Sequence, residues 1–181
     1  MNSYLKPILE SSYQKSKQAK NTLEKQGLKL DRELSNKEAK TFIDAEGKPS
    51  IVVRGSKSAY DFLVSDPLLA IGKSHLDPRK RRTDALIENV KKKYKTEDVN
   101  LYGHSLGGAL VSGAKTGGHI TTYNKGAGLG SIGQAINPNQ LDIRTGRDIV
   151  SLLSKTETGG KKIELQGSDN PLVAHSISQL K

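Results

Sequence analysis

Residues 103–108 read Gly-His-Ser-Leu-Gly-Gly, a spacing that suits nucleophilic catalysis by a serine. Ser105 is centred in G-x-S-x-G, with Gly103 and Gly107 flanking it and His104 beside it. The context agrees: residues 99–102 (VNLY) read as a strand running in, and residues 106–115 as a small-residue helix running out. A nucleophile elbow needs that layout, because its serine sits on a strained turn that neighbouring backbone must approach without a Cβ in the way. The helix that follows aims its first N–H groups, Leu106 nearest, at a developing oxyanion.

Such a serine is inert without a base, and the base needs a carboxylate to orient it. Of the four histidines, His104 lies on the elbow itself, with its side chain expected to point away from the position of a base. His75 precedes the elbow, against the order serine, acid, histidine, and His119 opens a strand at the wrong end for this site. His175 remains, after the last strand. Asp148 follows a strand and is the favoured acid; Asp169, close to His175 in sequence, is the runner-up, and Asp142 lies within the strand.

Around these residues the chain alternates strands and helices. Residues 1–26 read as one N-terminal helix, with Leu5, Leu9, Tyr13, Ala19 and Leu23 at helical spacing and Gly27 as its stop. Residues 40–44 (KTFID) and 50–54 (SIVVR) read as a hairpin across Glu46-Gly47-Lys48-Pro49. Asp77-Pro78 caps a helix running to about Lys95. Strands follow at 119–124 (HITTYN), 141–144 (LDIR) and 162–165 (KIEL), with a Gly-rich loop at 126–133 and a short helix or tail at 173–180. This order implies an α/β fold on a mainly parallel sheet.

Composition narrows the classes. A chain of 181 residues suits one domain, residues 1–181. The absence of Cys excludes a disulfide scaffold, thiol catalysis and Cys-based zinc sites. No apolar run approaches the roughly 18 residues of a membrane span, and residues 1–20 contain no apolar h-region of a secretory signal. With 29 Lys and Arg against 19 Asp and Glu, the formal charge is +10, which draws polyanions.

These residues resemble the class 3, or fungal-type, lipase family of α/β-hydrolases. GHSLGGAL at 103–110 is similar to that family's elbow almost letter for letter. Residues 51–56 (IVVRGS), followed by 59–66 (AYDFLVSD), resemble its second signature, an apolar strand ending in Arg-Gly-Thr/Ser and then a helix with an Asp–aromatic pair and a later Asp. Residues 147–150 (RDIV) match its Asp-x-Val motif, and the terminal histidine matches His175. Four motifs in family order span roughly residues 28–178.

The resemblance implies an α/β-hydrolase-like fold of minimal size, with helices on both faces of the sheet. It makes Ser105, Asp148 and His175 the triad, adds Ser56 to Leu106 as an oxyanion-hole donor, and implies no cofactor and no metal. The implied function is hydrolysis of acyl esters of glycerolipids or phospholipids, with a lipid or small ester as substrate. A catalytically inactive hydrolase-fold protein with a structural, membrane-surface or nucleic-acid-binding role is the alternative. Phe62 stands where the family has Trp, and residues 71–82, where the family's apolar lid lies, are short and basic. A short or absent lid is the expectation. Compact versions of this kind in bacteria and large DNA viruses make an intracellular or virion-associated location the expectation too.

Arg79-Lys80-Arg81-Arg82 opens the helix after Asp77-Pro78, against the positive end of its dipole. With Lys91-Lys92-Lys93 it is expected to form a cationic rim beside the site, suited to an anionic membrane surface. Aromatics at 4% and the lack of a recognisable motif argue against nucleic acid. Oligomeric state is not encoded legibly.

Overall fold

Apolar residues at a spacing of two give the sheet two greasy faces. The computed structural model describes residues 4–56, 78–127 and 131–180. In β3 (Pro49–Val53), Ile51 and Val53 enter one core with Ile87, Val90, Leu101, Leu106 and Leu110. Val52, between them, enters the other core with Leu5, Leu9, Leu23, Phe42, Tyr123 and Ile143. The first core is closed by α3 (Pro78–Tyr94) and α4 (Leu106–Val111), the second by α1 (Leu5–Ser11) and α2 (Ser16–Glu24).

The strands lie in chain order: β1 (Lys29–Asp31), β2 (Ala39–Ile43), β3, β4 (Asn100–His104), β5 (Ile120–Tyr123), β6 (Gln140–Thr145) and β7 (Lys161–Leu165). β1, β2 and β3 pair antiparallel, the β2–β3 hairpin closing at Ile43 opposite Pro49. From β3 to β7 every pairing is parallel. The architecture is therefore α/β-hydrolase-like, a mainly parallel sheet with helices on both faces. β4 ends at His104, opposite Tyr123, so the elbow emerges at the carboxyl edge of the parallel strands, where open α/β sheets place their sites.

The N-terminal segment departs from the expected single helix. It breaks after α1, where the hydroxyls of Ser11 and Ser12 bond back to the carbonyls of Ile8 and Leu9, and Lys15 is extended before α2 starts. α4 is also shorter than expected: Ser112 is extended and Gly113 takes φ +70°, ending the helix well before Lys115. The tail divides into α5 (Pro171–Ala174) and a 3₁₀ turn (Ile177–Gln179), and Leu180 is buried in the second core. His75, the cap Asp77, residues 59–66 of the second signature and the lid stretch up to residue 77 lie outside the described residues.

Candidate active site

Ser105 sits at φ 55°, ψ −127°, a conformation that costs a non-glycine residue roughly 1–3 kcal/mol and persists only where its surroundings impose it. Close packing imposes it here. A Cβ on Gly103 would lie 2.5 Å from the backbone of Gly107, and one on Gly107 would lie 2.1 Å from the Val53 carbonyl oxygen. The Ser105 N–H donates to the Tyr123 carbonyl at 3.1 Å, and its own carbonyl accepts from the Gly126 N–H at 2.9 Å. The serine is buried, at the first turn of α4 with the Leu106 N–H next to it. Gly55 presses on the elbow from β3, since a Cβ there would meet the Ser105 Cβ at 2.8 Å. Ser56, half-buried, is the next residue on that loop.

Asp148 lies on the turn after β6, fully buried. Its carboxylate accepts from the N–H groups of Val150 (3.0 Å) and Ser151 (3.2 Å) and from His175 Nδ1 at 2.9 Å. Burial by itself pushes this carboxyl up. The hydrogen bonds and the imidazole outweigh it and hold the group below the usual carboxylate range. Arg144 braces the turn from β6, donating to the Asp148 carbonyl at 3.1 Å and to Ser151 Oγ at 3.3 Å.

His175 follows α5 and is likewise buried. Asn124, at the end of β5, fastens its loop: Nδ2 donates to the Ala174 carbonyl at 2.9 Å, while Oδ1 accepts from the Thr145 N–H at 2.8 Å. Thr145 Oγ1 donates to the same Ala174 carbonyl. An ionised Asp148 only accepts, so the proton between the two side chains sits on His175 Nδ1 and leaves Nε2 with a lone pair. That Nε2 is buried and makes no hydrogen bond among the described residues, so its contact to Ser105 Oγ is not formed.

Asp148, His175 and the Ser105 elbow thus come together at one edge of the sheet. The competing residues do not. Asp169 pairs with Arg147 at 2.7 Å on the exposed surface, Asp142 binds Lys125, and His119 precedes β5 at the opposite edge. His104 corrects the expected geometry. Its ring does not point away from His175 but packs 5.0 Å from that ring, and its Nε2 contacts the His175 carbonyl at 2.9 Å. Asn124, Thr145 and Tyr13, which bonds to His104, escaped the sequence reading; only Tyr13 carried a signal there, as part of an apolar helix face.

The basic residues at the head of α3 are largely engaged. Arg79 donates to the Arg54 carbonyl at 2.5 Å, Lys80 pairs with Asp84, and Arg82 forks onto Glu38 at 2.9 and 3.0 Å. Arg81 is exposed. Lys91 and Lys93 sit at the far end of α3, about 20 Å along the axis at a helical rise of about 1.5 Å per residue, paired with Glu88 and Glu97 and with Asp31 and Glu33. The two basic groups do not form one rim.

A further buried cluster lies beside α4, which Lys125 and Gln140 reach at Ser112. Lys125 Nζ meets Asp142 Oδ2 at 2.8 Å and Glu157 Oε2 at 2.5 Å, and Thr122 and Gln140 donate to Asp142 Oδ1. Among the described residues no group of three or more His, Asp or Glu side chains is placed to hold a metal ion, and no helix is long and apolar enough to cross a membrane.

No protein-family model matches the chain, and no curated protein matches it. Among solved structures it is similar to Lip2 lipase from Yarrowia lipolytica, at 15% identity and TM-score 0.48 over 82% of this chain and 71% of that one. A Rhizomucor miehei lipase propeptide complex gives 15% identity and TM-score 0.49 over 98% and 73%. A mutant form of MDLA from Penicillium cyclopium gives 14% identity and TM-score 0.46 over 98% and 81%.

Proposed function

We propose that this chain is a serine ester hydrolase that cleaves acyl esters of glycerolipid or phospholipid type. The observation that carries the reading is the buried Asp148–His175 hydrogen bond of 2.9 Å beside a serine held at positive φ between two obligatory glycines. His175 Nε2, with its lone pair and no partner, takes the Ser105 proton as Oγ attacks the ester carbonyl. Asp148 holds the imidazole in that tautomer and stabilises the imidazolium. The Leu106 N–H and Ser56 stabilise the tetrahedral oxyanion. The imidazolium then protonates the leaving alcohol, and water, activated by His175, releases the acyl group.

Support for an apolar acyl chain comes from the segments that carry acid and base. Ile149, Leu152 and Val173 are exposed by 49%, 50% and 42%, large apolar side chains on the same stretches as Asp148 and His175. Arg81 and its neighbours at the head of α3 suit an anionic lipid surface, a smaller patch than the sequence implies.

The experiment is hydrolysis of p-nitrophenyl esters from acetate to palmitate and of anionic phospholipid vesicles, wild type beside Ser105→Ala. Turnover that falls at least about a thousandfold in the variant is expected. Equal inactivity of both proteins on every substrate replaces the enzyme reading with that of an inactive hydrolase fold.

A further inference from the structure

We propose that Tyr13 is a positioning residue of this site, its hydroxyl joining the oxyanion-side loop at Gly55 to the base loop at His175 through the ring of His104. The inference rests on the reading of Ser105, Asp148 and His175 as the machinery and adds what holds two of its parts in register.

Three hydrogen bonds make the bridge. The Gly55 N–H meets Tyr13 Oη at 2.9 Å, Tyr13 Oη meets His104 Nδ1 at 2.7 Å, and His104 Nε2 meets the His175 carbonyl oxygen at 2.9 Å. Their directions follow from chemistry. A carbonyl only accepts, so Nε2 carries the His104 proton; a neutral ring has one proton, so Nδ1 is a lone pair. The Tyr13 O–H must therefore donate to Nδ1, and its oxygen is left to accept from Gly55. One arrangement satisfies every group, and it fixes the tautomer of His104.

The surroundings enforce that arrangement. The His104 ring lies against Tyr13 at 5.9 Å, Tyr123 at 5.8 Å and His175 at 5.0 Å between centroids. Burial, reinforced by the neighbouring His175, brings its pKa down to about 3, so the ring stays neutral. Burial likewise pushes the Tyr13 phenol up to about 12 and keeps its proton in place. Gly55 is the only residue type with room here: a Cβ would lie 2.7 Å from Tyr13 Oη and 2.8 Å from both the His104 carbonyl and the Ser105 Cβ. The break between α1 and α2 acquires a purpose, since it sets Tyr13 at a helix end facing β3 and β4. Without the hydroxyl, the Gly55 N–H and His104 Nδ1 lose their partner, His104 is free to move its proton to Nδ1, and the His175 carbonyl loses its donor.

Tyr13→Phe keeps the ring and removes one oxygen. On p-nitrophenyl butyrate we expect kcat to fall about tenfold or more with KM within twofold, as when an outer support of a site is lost. In a His104→Leu background the same change is expected to cost less than twofold, because the path it acts through is gone. Full, multiplicative losses in the two backgrounds, or an unchanged kcat in Tyr13→Phe, overturn the proposal. Nitrogen-15 NMR of the histidines, which needs no activity, is expected to show His104 as the Nε2–H tautomer between pH 5 and 8 in the wild type and a growing Nδ1–H share in Tyr13→Phe. A wild-type Nδ1–H tautomer overturns it. If the wild type hydrolyses no ester and Ser105 resists a fluorophosphonate, the hydrolase reading fails by itself while the NMR still decides the bridge.

Discussion

The carboxylate of Asp148 receives three hydrogen bonds in a buried turn, whereas Asp169 pairs with the exposed Arg147. An amide at position 148 keeps the volume but loses the charge and the demand for a proton on His175 Nδ1. Asp148→Asn is expected to lower kcat by about 10⁴-fold, the scale of a base held in the wrong tautomer. Asp169→Asn removes a surface ion pair worth at most about 1 kcal/mol and should leave kcat within twofold. Esterase kinetics on the two variants side by side check this, and an equal loss at both positions would sink the choice of acid. Sequence spacing ranked these aspartates but did not separate them, because the turn that brings Asp148 to His175 is made by contacts 27 residues apart. Ser105 was legible because its glycines, strand and helix are its immediate neighbours. Tyr13 was not, since its partners lie 42 and 91 residues away.

Between β3 and α4 the backbones approach as closely as a glycine permits. A methyl group on Gly107 would stand 2.1 Å from the Val53 carbonyl, and neither backbone moves aside without disturbing the elbow. Gly107→Ala is expected to cost about 3 kcal/mol or more, at the upper end for overpacking. Gly113→Ala provides the contrast: space there is open and only its φ of +70° resists, at about 1 kcal/mol. Urea unfolding midpoints measure both, and equal costs would show that the close approach is not what fixes α4. The alternating strands β2 to β7 and the helix Pro78–Tyr94 were readable from period and caps. The break after Ser11 was not, because the apolar spacing of Leu5, Leu9, Ala19 and Leu23 runs through it while the serine hydroxyls redirect the backbone. β1 was missed because three residues are too few to show an alternation.

Stability of the whole molecule against pH follows from the ionisable groups folded inside it. His104 is neutral in the fold, its pKa brought from 6.5 to about 3 by burial and by His175. Below about pH 6.5 the unfolded chain binds a proton there that the folded one refuses, so stability falls as pH drops from about 6.5 toward 3, with a slope approaching 1.4 kcal/mol per pH unit. Asp148 acts in the same direction at lower pH: its depressed pKa contributes stability above the unfolded value of 3.8, lost as pH falls through the folded one. Glu157 acts oppositely. Burial raises its pKa above 4.5 despite Lys125 beside it, so ionising it costs stability as pH climbs out of the acid range. Between pH 6 and 4.5 His104 and Glu157 act against each other, and single variants separate them. His104→Gln is expected to flatten the acid-side fall of the urea midpoint and Glu157→Gln to steepen it. If His104→Gln kept the full wild-type slope, the ring would be taking up a proton in the folded state as readily as in the unfolded one, Nδ1–H then donating to Tyr13 Oη and Nε2–H to the His175 carbonyl, and burial of His104 would not be what sets the acid-side fall.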